Sequence, residues 1–279
     1  MKRSLTFFIF LAVSFVSAGA LADFCQKRTQ GFSLQKICSS SIDASKTPSQ
    51  LAPLPKDLPS LQKILHQPFY YLKKGQQCFV FLSEDQRYVL KFLRWDKLEP
   101  PFWTKWVSTS KTQQLINARK QKQTADFTSY LIAARQLSKE TKLVYLHLKK
   151  TDFLQTPLKI FDRISIEHHL QADDMGFILQ ERVDPFLPLF LEKLQQGLET
   201  SLQPFLIKLL DLLESRIAQE ISDSDITLQY NMGIHEGEPV LFDIGNLQKK
   251  ASISLKEETK LILEFLREKS PLLARFFEQ

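Results

Sequence analysis

Glycine is scarce. The chain has 8 in 279 residues, about 3% against a usual ~7%. They stand at positions 19, 31, 75, 176, 197, 233, 237 and 245. From these positions neither a Gly-x-Gly-x-x-Gly turn nor a Gly-x-x-x-x-Gly-Lys-Ser/Thr loop can be written, which excludes a Rossmann fingerprint and a Walker phosphate loop. Cysteine is also sparse, with Cys25, Cys38 and Cys78 and no Cys-x-x-Cys, so a zinc ribbon or thioredoxin-type site is not expected. In an oxidising compartment Cys25 and Cys38 could close a short loop, leaving Cys78 as a buried thiol. The alternative is that all three stay reduced. No Gly-x-Ser-x-Gly and no His-Glu-x-x-His supports a hydrolase. Neither sign of charge dominates: 37 Lys+Arg stand against 31 Asp+Glu, mostly interleaved as on a solvated surface. No basic-aromatic stripe makes nucleic acid the expected partner. The composition excludes a disordered tail, a collagen and a multi-span membrane protein.

The start of the chain does hold an apolar run. Lys2 and Arg3 precede uncharged Leu5 to Val16, and Ala20-Leu-Ala22 follows before the first acid, Asp23. Basic start, apolar centre and small-residue end are the parts of a secretory signal peptide, with cleavage expected after Ala22. The expected destination is the periplasm, cell envelope or exterior. An uncleaved signal anchor is the alternative and would be the only membrane contact, since no second such run exists. Without residues 1–22 the formal charge falls from +6 to +4, because only Lys2 and Arg3 are lost.

Residues 23–60 are polar and carry Pro48, Pro53, Pro55 and Pro59. They read as a leader with little regular structure, apart from a short helix near Leu58–His66. Three short strands rich in aromatic and β-branched residues follow over 69–72, 78–82 and 87–93, separated by turn residues. Residues 94–124 read as irregular and basic, with Trp95, Trp103 and Trp106. A helix is expected from about Ala125 to Lys142, with Phe127, Leu131, Ile132, Ala134 and Leu137 at helical spacing. Strands are expected near 158–163 and 177–183, with a third between them over 164–170. A long helical region runs over 187–221, broken near Pro204. A polar loop, a strand at 239–242 and helices over 255–278 complete the chain. The order implies an α+β fold, with 61–185 as a strand-rich N-lobe and 186–279 as a helical C-lobe.

The segment after the long helix carries a notable set. Asp223 and Asp225 are followed by Asn231, and Asp243 leaves a short apolar strand to meet Ile244-Gly245. Phosphoryl transfer uses such a set: one carboxylate orients or takes the hydroxyl proton, while an Asn oxygen and a second carboxylate hold Mg²⁺ against the phosphates. Lys91 stands inside the apolar third strand, where a cation is costly without an anion to meet. Glu140, at the end of the expected helix, is a candidate partner, and Asp126 near its start competes.

In these residues the chain resembles the protein-kinase-like superfamily over roughly 69–247. Val89-Leu-Lys91 looks like the strand-three lysine motif. Glu140 takes the place of the helix carboxylate, and Glu181 to Asp184 falls at the hinge. Asp225 and Asn231 look like the catalytic-loop pair, with Asp223 competing for the base role, and Asp243-Ile-Gly245 looks like the metal-binding motif. Gly75 is the one glycine in the phosphate-loop position. The resemblance implies a two-lobed kinase-like fold, with ATP and Mg²⁺ as cofactors and an unknown acceptor. The Asp-x-Asp…Asn-x-Gly…Asp-x-Gly pattern is also similar to a group of exported proteins of obligate intracellular bacteria, which implies no activity. The departures are a single loop glycine, no His-Arg before Asp225, a spacing of six rather than five to Asn231, and no long activation segment. They point to the alternative, a catalytically inert interaction module.

Two other clusters suggest metal sites and fail on geometry. A calcium loop starting at Asp223 would need Gly and Glu where Leu228 and Ile234 stand. His168 and His169 are adjacent on an expected strand and so point to opposite faces.

Overall fold

Helix begins early in the chain, which a computed structural model describes over residues 2–39, 51–223 and 225–278, with side chains from Ser14 onward. Lys2–Arg28 form α1, Leu34–Ile37 form α2 and Leu58–His66 form α3. The last of these starts where the Asp57 side chain accepts the Ser60 amide at 3.0 Å, with Pro59 in the first turn. Ala22 lies within α1. Among the described residues no helix is long and apolar enough to cross a membrane.

The expected helix over Leu58–His66 forms as α3, but the expectation of an unstructured leader fails at its N-terminal end. Phe32 and Ile37 are buried in the main core with α3 residues Leu61 and Leu65. Phe32 alone meets four rings, those of Tyr71, Phe79, Phe81 and His168. A few apolar residues in a polar, proline-containing stretch are enough to anchor it. Residues 40–50 of that leader lie outside the described residues.

The three expected strands form as Phe69–Lys74 (β1), Cys78–Ser83 (β2) and Tyr88–Leu93 (β3). Next come a helical turn at Trp95–Leu98 (α4), a 3₁₀ turn at Phe102–Lys105, and a long helix at Ser110–Gln136 (α5). Here the expectation is corrected: the helix starts fifteen residues before Ala125 and ends six before Lys142. Its first half is rich in Lys, Gln, Ala and Arg, good helix formers without an apolar stripe, so periodicity is silent where propensity is not. Thr109 caps it by accepting the Thr112 amide at 3.2 Å.

Leu143–His147 (β4), Pro157–Phe161 (β5), Glu167–Gln171 (β6) and Phe177–Glu181 (β7) complete a seven-stranded sheet in the order β4-β7-β3-β2-β1-β5-β6. The β5–β6 hairpin is attached by the parallel pairing of β5 to β1, and every other neighbour is antiparallel. Alternation divides β3 between two faces. Leu90 and Phe92 enter the core under α3, and Leu93 enters a second core with Tyr130, Ile132 and Ala133 of α5. Lys91 is on this second face, paired across to Val80 and Ile178.

Beyond β7 the chain becomes mainly helical. Asp184–Pro185 (β8) leads to Phe186–Gln195 (α6), a 3₁₀ turn, and Gln203–Ala218 (α7), whose first turn takes Pro204. Ile221–Asp223 (β9), Met232–His235 (β10), Glu238–Leu241 (β11) and Leu247–Lys249 (β12) form two small sheets, one with β8 and one pairing β9 with β12. The two-residue turn Glu236-Gly237 has φ of 52° and 79°, the left-handed pair that a tight hairpin needs. Leu255–Glu258 (α8), Lys260–Lys269 (α9) and Pro271–Phe277 (α10) close the chain. Phe186, Phe190, Leu206, Leu209, Leu213 and Leu266 are fully buried together, and the Phe186 and Phe205 rings stack at 4.2 Å. The fold is α+β, with a strand-rich N-terminal part and a mainly helical C-terminal part.

Candidate functional site

Lys91 is half-buried in β3, an interior strand of the seven-stranded sheet. Its ammonium donates to the Phe242 carbonyl at 2.7 Å. Burial lowers its pKa, and the charge of Asp243 opposes that shift. The Phe242 ring is approached by two ammonium groups, Lys73 at 5.7 Å and Lys91 at 5.9 Å from its centroid. The site thus gathers two cations from β1 and β3 around the residue that precedes Asp243.

Asp243 itself is exposed, and its Oδ1 accepts the Gly245 amide at 3.1 Å. The segment is fixed by α5. The Ser129 hydroxyl donates to the Ile244 carbonyl at 2.6 Å and accepts the Leu247 amide at 2.7 Å. Phe242 is tied to the preceding loop, its amide donating to the Asn231 carbonyl at 3.2 Å. Asn231 is buried, and its side-chain amide donates to the Asp225 carbonyl, which leaves the side-chain oxygen as an acceptor. Lys91, Asp243, Asn231 and Asp225 are therefore brought into one connected region.

The two aspartates before Asn231 part company. Asp225 is exposed, with Asn246 Nδ2 at 3.5 Å from its Oδ2. Asp223 is buried beside Arg216, whose Nη1 is 3.9 Å away, and accepts the Asp225 amide at 3.1 Å. Burial pushes its pKa up to about 6 against the pull of that hydrogen bond and of Arg216. Glu258 bonds Arg216 and accepts from the Ser222 hydroxyl at 2.6 Å and the Asp223 amide at 3.2 Å. Asp223 belongs to this buried charge cluster, which ties β9 to α7 and α8.

Glu140 lies beyond α5, in the turn leading to β4. Its backbone carbonyl accepts the Leu241 amide at 2.9 Å, and its side chain has no hydrogen bond or ion pair among the described residues. The carboxylate that α5 turns toward the site is Asp126, named above as the competitor. It is buried and paired with Lys122 at 3.1 Å. Its pKa is raised by burial, against the pull of Lys122 and with a further push from Asp243. Asp126, Ser129, Tyr130 and Ala133 form the buried stripe. The expected apolar face also packs into this core: Ile132 and Leu137 are buried, and Phe127, Leu131 and Ala134 are partly buried against them, while an apolar count passes over the polar Asp126, Ser129 and Tyr130.

Gly75 donates its amide to the Cys78 carbonyl at 2.8 Å, closing the turn between β1 and β2. The same turn sends Gln77 to Gly245. A Cβ added at Gly245 would stand 2.5 Å from Gln77 Oε1, and that oxygen accepts the Tyr130 hydroxyl at 2.9 Å. Ser129, Tyr130 and Gln77 are the site residues that sequence reasoning missed, because a lone Ser, Tyr or Gln has no motif. Cys78 lies beneath, its thiol pushed up to about 12 by burial, and Cys25 and Cys38 are exposed and unpaired.

Asn231 and Asp243 are the residues that could hold a metal ion here. Among the described residues no three His, Cys, Asp or Glu cluster as metal ligands. A side-chain amide oxygen and one carboxylate make a small, hard oxygen donor set. Of the histidines, His168 meets Asp162 at 3.0 Å and His169 meets Glu167 at 2.8 Å. Their side chains point apart, as strand alternation requires.

No family model matches the chain, and no curated protein matches it. Solved structures similar in fold include the bifunctional kinase-methyltransferase WbdD, at 15% identity and a TM-score of 0.36 over 70% of this chain and 35% of that one. Cex1p gives 13% identity and a TM-score of 0.37 over 78% of this chain and 33% of its own. Rv3197 from Mycobacterium tuberculosis, solved with erythromycin, gives 15% and 0.33 over 100% and 75%. The aligned part of this chain spans about a third of the length of WbdD.

Proposed function

We propose that this chain is an exported kinase-like protein that binds a magnesium nucleotide between β3, α5 and the 225–245 segment and transfers phosphate to an acceptor. The observation that carries the reading is the bond from Lys91 to the Phe242 carbonyl. It sets the strand lysine beside Asp243 from 151 residues away, in the element order that the family resemblance implies. Lys73 and Lys91, whose ammonium groups both approach the Phe242 ring, would meet phosphate oxygens. Asn231 and Asp243 would hold Mg²⁺, which when bound supplies neutralisation of phosphate charge. Exposed Asp225, rather than buried Asp223, suits the role of taking the acceptor's proton. Asp126 takes over from Glu140 as the helix carboxylate facing the lysine region. Export rests on the first 22 residues, and an exported phosphotransferase would have to meet its nucleotide outside the cytosol.

One observation favours the second reading, an inert interaction module. Gln77 fills the space against Gly245 and is pinned there by Tyr130, so a side chain stands beside the Asp-Ile-Gly turn.

A thermal-shift titration of the full chain with ATP and Mg²⁺ separates the two. Ligand that binds only the folded state at one hundred times its Kd stabilises by about 2.7 kcal/mol, a rise of roughly 5–10 °C in a domain this size. The rise should require the metal and vanish in Lys91→Ala and in Asp243→Ala. A shift retained by both variants would place the ligand elsewhere. No shift at millimolar nucleotide would leave the inert module as the reading.

A further inference from the structure

The stretch between β3 and α5 has no part in the site above, yet it has an unusual surface. Phe102, Trp103, Trp106 and Val107 are 70%, 42%, 75% and 43% exposed within six residues. The 3₁₀ turn explains how. Thr104 faces inward, and its hydroxyl donates to the Pro101 carbonyl at 2.7 Å. The rings on either side are thereby held outward. Phe102 and Trp106 meet edge to face at 5.7 Å, so they form one protruding wedge rather than two loose side chains. Pro100 and Pro101 fix φ on its leading side. Leaving this much aromatic surface in water forgoes a large share of the stabilisation that burial would give.

The charge on the C-terminal side of the wedge is of one sign. Residues 101–125 contain Lys105, Lys111, Arg119, Lys120 and Lys122 and no acid. Lys105, Lys111 and Lys120 are exposed and make no ion pair among the described residues. Arg119 donates to the backbone carbonyls of Asp96 and Lys97, which fastens α5 to α4 without cancelling its charge. The result is an exposed aromatic wedge followed by lysines without ion-pair partners among the described residues. Indole and phenyl rings settle at the level of lipid headgroups, and nearby lysines are drawn to anionic ones.

We propose that residues 102–107, with Lys105 and Lys111, form a peripheral contact for an anionic lipid surface. The contact is independent of the N-terminal apolar segment, and it puts a membrane at the loop that leads into α5.

The tryptophans themselves report on it. The chain has three, and Trp95 is 2% exposed, so it serves as an unquenched internal reference. Full-length chain is mixed with vesicles of phosphatidylcholine alone, or of phosphatidylcholine with phosphatidylglycerol, each carrying brominated acyl chains. The expected result is quenching and a blue shift with the phosphatidylglycerol vesicles only. The response should disappear in Trp103→Phe/Trp106→Ser. Lys105→Gln/Lys111→Gln should weaken binding roughly thirtyfold. All four positions are exposed, so both variants should keep the parent melting temperature, which is measured alongside. Vesicle binding without quenching would mean that the N-terminal segment does the binding and would overturn the proposal. So would equal quenching on neutral vesicles, or no response to either. Quenching by a single-stranded oligonucleotide in the absence of lipid would overturn it in favour of nucleic acid.

Discussion

The Ser129 hydroxyl donates to the Ile244 carbonyl at 2.6 Å, joining residues 115 apart in sequence. Because the same oxygen accepts the Leu247 amide, one hydroxyl satisfies a carbonyl and an amide of the segment that carries Asp243. α5 thus holds the candidate site from behind, through backbone rather than through charge.

Ser129→Ala should therefore be costly. It leaves a buried carbonyl and a buried amide without their partner, and each unmet group costs about 1–3 kcal/mol. The expected fall in melting temperature is about 5–20 °C, against almost none for Ser108→Ala on the exposed surface. Equal melting temperatures for the two variants would refute the clamp.

Asp223 makes stability depend on pH in an unusual direction. Its folded pKa is raised to about 6 from the model-compound value of 3.8. Between those values the folded state holds more protons than the unfolded one, so this group's contribution falls as pH rises through the window and is lowest above it. Asp223→Asn removes the titration while keeping an acceptor for the Asp225 amide. Its melting temperature relative to the parent should climb from about pH 4 to about pH 6 and then level off. A difference that stays flat across that window would sink the assignment.

Gly245 and Gln77 should be energetically coupled. Gly245→Ala drives a methyl group into the Gln77 amide, and the displaced side chain loses the Tyr130 hydroxyl. A loss of about 1–3 kcal/mol is expected. In Gln77→Ala the same glycine substitution should cost much less, giving a coupling of about 1 kcal/mol in the double-mutant cycle. Additive losses would mean that the turn between β1 and β2 does not rest on the Asp-Ile-Gly segment. If Gln77 also obstructs a nucleotide, Gln77→Ala should bind ATP more tightly than the parent.

Much of the sheet was legible in the sequence because its strands are short, aromatic and separated by turn residues. β2 and β3 fall within a residue of the positions that pattern alone suggests. The first half of α5 was not legible, since its burial is too slight to impose a period and its helicity comes from propensity and a threonine cap. Nor was the role of Phe32, one apolar ring in a polar stretch that reaches the core only through tertiary packing. At the candidate site the charged residues announced themselves by position: Lys91 on a strand, Asp243 after one. What fixes them did not. Ser129, Tyr130 and Gln77 act through hydrogen bonds with partners more than fifty residues away, and no local spacing encodes that.

The β5–β6 hairpin has a consequence for how the protein behaves in a crowd. A seven-stranded sheet offers two open borders for unwanted pairing with another chain. By docking on β1, the hairpin moves one border out to β6, whose exposed positions carry Glu167, His169 and Gln171. Across from them, Lys159 of β5 sits in an ion pair with Glu167. Just past β4 at the other border, the Leu148 amide is taken by the Leu51 carbonyl at 2.7 Å. One margin is thus charged and the other partly capped, so the sheet is poorly suited to growing by strand addition, and self-association into fibres is guarded against at both ends.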